Sequence, residues 1–270
     1  MKKLTALILA VLMMFALVAC SGNGDGTSTT SANETQSDLE YVKNKGTLVI
    51  GITDFAPMDY QEAGSDEWIG FDADMAKAFA KSLGVEAKIV PIDWDNKILE
   101  LNSKTIDCVW NGMTLTDEVR AAMSCSDAYC NNAQVVIVSA DKAEQFQTAE
   151  ACKSLKFAVE AGSAGEGAAK DNGFEYTSVL DQATALLEVS AGTADAAIID
   201  SLMAAAMVGE GTNYAGLTYT VSLTSEEYGV GFRQGSDLTA ALNEFFAASK
   251  ADGTMESIAT TYGVQAALIK

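Results

Sequence analysis

Histidine is absent from this chain of 270 residues. That single absence removes the commonest general base, the Ser-His and Cys-His dyads and most zinc sites. Arginine is nearly as scarce, with Arg120 and Arg233 the only two. Basic residues number 17 against 37 acidic ones, a formal net charge of −20, and the acids are dispersed rather than gathered in a tail. Such a surface repels nucleic acid and anionic lipid headgroups and favours solubility, so no nucleic-acid partner is expected. No motif calls for a cofactor or a metal. Long apolar runs are also missing. The one greasy stretch, residues 4 to 18, is too short to span a bilayer comfortably.

That stretch has a purpose of its own. Lys2 and Lys3 precede it, and it ends in Leu17-Val18-Ala19-Cys20, which resembles the lipobox of bacterial lipoprotein precursors. The resemblance implies a signal peptide over residues 1 to 19, cleavage before Cys20, and diacylglycerol on that cysteine. The mature protein would then be extracytoplasmic and held at the cell membrane by a lipid anchor. An ordinary secretory signal that happens to contain a cysteine is the plainer alternative. The small residues before Cys20 and the polar strip after it favour the anchor. Residues 21 to 37 are rich in Gly, Ser, Thr and Asn without apolar periodicity, so residues 20 to 38 read as a flexible tether with a reach of roughly 25 Å. Cys108, Cys125, Cys130 and Cys152 are an even set, but four cysteines allow three pairings and the sequence chooses none.

Beyond the tether, secondary structure follows from periodicity. Thr47-Leu-Val-Ile-Gly-Ile52 is a strand. Phe71, Met75, Phe79 and Leu83 recur every four residues up to Gly84, a helix with its stop. Val85, Ala87 and Ile89 alternate as a strand ending at Pro91, Asp95 is a candidate cap for a short helix, and residues 106 to 110 form a third strand. A second series follows: strands at 134 to 138 and 156 to 159, a Gly-rich turn into a helix, a strand at 176 to 180, a helix capped by Asp181, and a strand at 196 to 200. Residues 228 to 232 read as a return strand, with helices near 238 to 249 and 254 to 262. Alternation of this kind calls for parallel sheets covered by helices, in two α/β lobes rather than one continuous sheet.

Six stretches, taken in order, resemble the extracellular solute-binding proteins of amino-acid ABC importers: "GTLVIGITDFAPMDY", "WIGFDADMAKAFAKSLGV", "VPIDWDNKILELNSKTIDCVWNGMTLTDEVR", "FAVEAGSAGEGAAK", "GTADAAIID" and "ASKADGTMESIATTYG". The resemblance spans residues 46 to 263. It implies a type II periplasmic-binding-protein fold, two α/β lobes joined by a two-strand hinge. Lobe one would comprise residues 39 to 134 plus 228 to 270 and lobe two residues 135 to 227, with crossing strands near 135 to 139 and 226 to 232. The implied partners are a free amino acid and an ABC transporter permease, with the protein a monomer.

A free amino acid has a positive and a negative end, and closing two lobes over it strips water from both. The resemblance puts an ammonium-binding carboxylate at Asp200, which otherwise reads as a helix N-cap. It puts a backbone carbonyl, a backbone N–H and a hydroxyl at Asn111, Gly112 and Thr114, the last also readable as a cap. Ser163 would offer donors at a helix N-terminus. Phe55 and Trp94 match two aromatic positions that sandwich the ligand, though core packing accounts for such rings equally. Asp54 lies where an acid could meet a ligand side chain. Relatives hold the carboxylate with an arginine five positions after the residue equivalent to Thr114, but Val119 stands there and Arg120 follows. One residue on a helix turns a side chain by about 100°, so Arg120 reaches the site only if the turn shifts. Without that shift, backbone donors and Thr114 hold the carboxylate.

Two other classes compete with a transport module. A dehydratase of prephenate or arogenate type shares the fold and would need a cleft carboxylic acid as proton donor. A sensor subunit feeding a receptor is the third, against which stands a lone domain on a lipid leash.

Overall fold

The computed structural model describes residues 37–270; Cys20, the expected signal peptide and most of the expected tether lie outside them. The chain opens with helix α1 (Asp38–Lys45), strand β1 (Thr47–Ile52), a two-residue hairpin of β2 (Tyr60–Gln61) and β3 (Trp68–Ile69), helix α2 (Phe71–Leu83) and strand β4 (Glu86–Pro91). Helix α3 (Lys97–Asn102), strand β5 (Cys108–Thr114), helix α4 (Asp117–Ala122) and the short strands β6 (Ser124–Cys125) and β7 (Cys130–Asn132) follow. The middle of the chain holds β8 (Gln134–Ser139), α5 (Ala149–Cys152), β9 (Lys156–Glu160), α6 (Ala164–Asn172), β10 (Glu175–Val179), α7 (Gln182–Ala191), β11 (Ala196–Asp200), α8 (Ser201–Met207) and β12 (Leu217–Ser222). Strand β13 (Glu226–Phe232) and helices α9 (Leu238–Ala251) and α10 (Thr254–Thr261) close it.

These strands make two larger sheets. One runs β4-β1-β5-β13-β6, with β7 also paired to β13; the other runs β10-β9-β11-β8-β12. The chain passes from the first to the second between Asn132 and Gln134 and returns between β12 and β13. The result is two α/β lobes joined by a two-strand hinge. Neither sheet is wholly parallel. Strands β4, β1 and β5 run parallel, as do β10, β9 and β11, whereas β13 and β8, which border the crossings, are antiparallel to their neighbours.

Both sheets are buried on both faces, and the period-two alternation shows it. In β11, Ala197 and Ile199 join one apolar cluster while Ala196 and Ile198 join another. Strand β9 divides the same way, Ala158 on one side and Phe157 with Val159 on the other. Helix α2 buries Phe71, Met75 and Phe79 and ends at Gly84 as its spacing foretold. One cap differs from expectation: Asp93, not Asp95, caps the turn before α3, its carboxylate accepting from Asp95 N. Arg233 serves the fold rather than the cavity. It is buried, pairs with Asp38 at 2.9 Å, and donates to the Leu101 and Ile106 carbonyls. All four described cysteines are free, and burial pushes each thiol up, away from the reactive thiolate.

Among the described residues no helix is long and apolar enough to cross a membrane.

Candidate functional site

The parallel strands of both sheets end toward a common gap, where open α/β sheets bind ligands. Thr114 ends β5, Glu160 ends β9 and Asp200 ends β11, while Trp94 follows β4 and Ser163 precedes α6. A cavity of about 370 Å³ lies there, lined from both lobes. Trp94, Asn111, Gly112, Thr114, Ser163 and Asp200 all line it. That volume falls within the usual range of small-molecule sites.

Asp200 is held more tightly than a cap residue would be. Its carboxylate makes no capping bond to α8. Oδ1 accepts from Tyr228 Oη at 2.8 Å, Gln134 Nε2 at 3.0 Å and Asn132 Nδ2. Oδ2 accepts from Gln182 Nε2, and Gln182 Oε1 in turn accepts from the Asp200 backbone N–H at 2.8 Å. Four donors from three other strands and a helix therefore fix one carboxylate. Burial lifts its pKa to about 7, and the Glu226 charge adds to the lift. Glu226, the first residue of β13, accepts from Thr114 Oγ1 at 2.9 Å and from Gln134 and Asn132. Thr114 is thus tied to an acid rather than capping a helix; the cap of α4 is Thr116.

Behind the cavity wall lies a second buried network. Asn111 side-chain atoms bond to Thr53 and to Asp59 Oδ2 at 2.8 Å. The Gly112 N–H donates to Asp72 Oδ2 at 2.6 Å, which Tyr129 also reaches at 2.7 Å. Burial raises the pKa of both Asp59 and Asp72. The Gly112 N–H is therefore engaged inside lobe one. Its φ of +51° and the Phe55 ring, 2.5 Å from where a Cβ would sit, explain why glycine stands there.

Three expected site residues lie outside the cavity lining. Phe55 is 2% exposed and packs edge-on to Tyr228, so core packing accounts for it. The Asp54 residue is exposed at the surface, yet its carboxylate is partly shielded from water, which together with the Asp181 charge raises its pKa. Arg120 is exposed and donates to the Leu115 carbonyl at 3.3 Å, while Val119 lines the cavity at 5% exposure. The helix phase thus turns the guanidinium out, and no shift of the turn brings it back. Trp110 is core too, packed on Phe79 and Phe246.

The cation in the cavity is Lys97, which the sequence reading missed. It is 6% exposed, lies 4.9 Å above the Trp94 ring, and donates to the Trp94 carbonyl at 3.1 Å and the Gly162 carbonyl at 2.8 Å. Its bond to Gly162 joins lobe one to lobe two. Burial lowers its pKa, and Glu160 is the acid that opposes this most. Glu160 was missed as well. It is 2% exposed, lines the cavity, and its pKa is pushed up to about 8 by burial and by the Asp200 and Asp181 charges. Ending an apolar strand run was the only signal Glu160 carried. Ser163 caps α6 by accepting from Glu166 N at 3.1 Å, which leaves its own O–H free to point elsewhere.

The lobes meet closely at Gly162. Its φ is +67°, and a Cβ there would lie 2.6 Å from Asp95 Oδ1 and 2.9 Å from Asp95 Cα. Gly162→Ala is expected to wedge the lobes apart. Ligand affinity should fall at least about tenfold, while the ligand-free stability drops only by the ~1 kcal/mol of a left-handed alanine, about 2–4 °C in melting temperature. Calorimetry beside thermal unfolding checks it; equal affinity would show that closure does not need this contact.

Two hinged α/β lobes around a charged cavity define a protein built to enclose a small solute. The profile of the bacterial extracellular solute-binding proteins, family 3, matches residues 48–265, and the chain belongs to that family. It is 30% identical over 223 residues to the L-cystine-binding protein TcyJ of Escherichia coli (strain K12), covering 82% of this chain and 84% of that one. Among solved structures, a mutant of ArgBP from T. maritima superposes with a TM-score of 0.77 at 32% identity, covering 83% of this chain and 98% of the other. The ancestral amino acid-binding protein AncCDT-1, described as a precursor of cyclohexadienyl dehydratase, gives 0.76 at 32% identity over 84% and 99% of the two chains.

Proposed function

We propose that this protein captures a free, polar or charged amino acid between its lobes and delivers it to an ABC transporter permease, as a lipoprotein anchored through Cys20. It acts as a binding module and not as an enzyme. The observation that carries this reading is the pairing of opposite charges in one cavity: Asp200 and Glu226 at one part of the lining, Lys97 at another. In this reading Asp200 receives the ammonium, and Lys97, Ser163 and the N-terminus of α6 receive the carboxylate. Thr114 orients Glu226, and Trp94 covers the aliphatic part. Lobe one (39 to 134 plus 228 to 270) and lobe two (135 to 227) close because only the closed form touches the ligand from both sides. The names of TcyJ and AncCDT-1 support an amino-acid ligand. The tie of AncCDT-1 to a dehydratase keeps the enzymatic alternative testable.

A thermal-shift screen of the twenty amino acids and cystine tests the proposal. A ligand at a hundredfold excess over its Kd stabilises by ~2.7 kcal/mol, a shift of about 5–10 °C for a domain of this size. Silence across the set would remove the amino-acid assignment. Aromatic product from prephenate or arogenate would replace it with the dehydratase.

A further inference from the structure

Resting on the amino-acid reading above, we propose that the solute carries a second positive charge on its side chain, and that Glu160 is the residue that selects for it. Among the described residues the cavity lining holds Asp117, Glu118, Glu160, Asp171, Asp200 and Glu226 against Lys97 as its one cation. One zwitterion brings one positive charge, which Asp200 and Glu226 already answer. Glu160 is left over, and it is the member of the set whose position costs most. It is 2% exposed, Thr53 is the side chain whose hydroxyl favours its charge, and its Oε1 is buried with no hydrogen-bond partner.

Lys97 attracts it from a distance but makes no ion pair with it. The Lys97 ammonium donates to two carbonyls over the Trp94 face, which leaves one N–H for a ligand, and among the described residues no carboxylate stands within ion-pair distance of it. A metal does not satisfy it either, since among the described residues no three Asp, Glu or Cys side chains are grouped to share one. An organic cation on the ligand does. A guanidinium or ammonium reaching the end of β9 would give Oε1 its donor. A neutral side chain would leave the buried oxygen unpaired, and sites of that kind discriminate strongly against ligands lacking the donor. The solute class is therefore a basic amino acid, its α-carboxylate taken by Lys97.

The test uses pairs that differ in charge but hardly in shape: L-arginine against L-citrulline, and L-lysine against L-norleucine, titrated calorimetrically into the full chain. At least one basic member is expected to bind on the order of 30-fold more tightly than its neutral partner. In Glu160→Gln that ratio should shrink below about threefold through loss of the basic ligand's affinity. If citrulline, glutamine or cystine binds as tightly as any basic amino acid, or if Glu160→Gln leaves the ratio unchanged, the selection by Glu160 is wrong while the amino-acid reading stands. Binding of no amino acid at all would remove both. Should the variant fail to fold, the ratios in the unaltered protein decide alone.

Discussion

Asp200→Asn is expected to weaken amino-acid binding by on the order of 10²- to 10³-fold while the ligand-free protein stays folded. The size follows from what the ammonium loses. A buried positive charge whose anionic partner is removed costs about 3–5 kcal/mol, and each 1.4 kcal/mol is tenfold in affinity. The fold survives because asparagine keeps the shape and one acceptor oxygen. That oxygen can still receive Tyr228, Gln134 and Asn132, as Oδ1 does now. Only Gln182 Nε2 would face a donor, since its own oxygen is engaged by the Asp200 N–H. One such mismatch costs about 1–3 kcal/mol. Asp200→Ala is the poorer experiment, because it strands all four donors at once and confuses lost binding with lost stability. Calorimetry beside a denaturant melt separates the two quantities. An unchanged affinity in the asparagine variant would mean that Asp200 only braces the lobes, and the ammonium would have to be sought at Glu226.

Much of the fold was legible because its strands and helices obey one strong rule each. The helix over Phe71–Leu83 announces itself by fourfold spacing and a stopping glycine, and β9 and β11 by short apolar runs next to turn residues. What escaped was structure with weak local preference. Strands β6 and β7 have two and three residues, β12 is mostly polar, and all three exist through pairing with distant partners. The site divides along the same line. Asp200, Thr114, Ser163 and Trp94, which the family resemblance singled out, reach the cavity because strand ends and helix starts place them there. Lys97 and Glu160 lie 63 positions apart and gain meaning only when the lobes meet. For Arg120 the sequence posed the choice between charge type and helix phase without deciding it, and the fold gives the phase to Val119.

The same buried acids should make ligand-free stability fall as pH rises from about 5 to 8.5. In the unfolded chain Asp200 and Glu160 ionise near ordinary carboxylate values, about 4. In the folded protein they are lifted to about 7 and about 8. Between those limits the folded state holds protons that the unfolded state has released, so stability is greatest on the acid side and declines with rising pH. A lift of roughly three units is worth about 4 kcal/mol per group, and part of the Glu160 lift comes from the Asp200 charge, so the two contributions do not simply add. Asp59 and Asp72 act in the same direction. Glu166 and Asp237, whose pKa values are lowered by their partners, lose their contribution only below about pH 4 and leave the window untouched. A cationic ligand favours the ionised acids, so binding near pH 6.5 should release protons, and affinity should climb between pH 5 and 8. Melting curves across that range, together with binding heats in buffers of different ionisation enthalpy, measure both effects. Asp200→Asn should flatten the lower half of the stability profile. Rising ligand-free stability over this window, or proton uptake on binding, would mean that the cavity acids are already ionised and paired before the solute arrives.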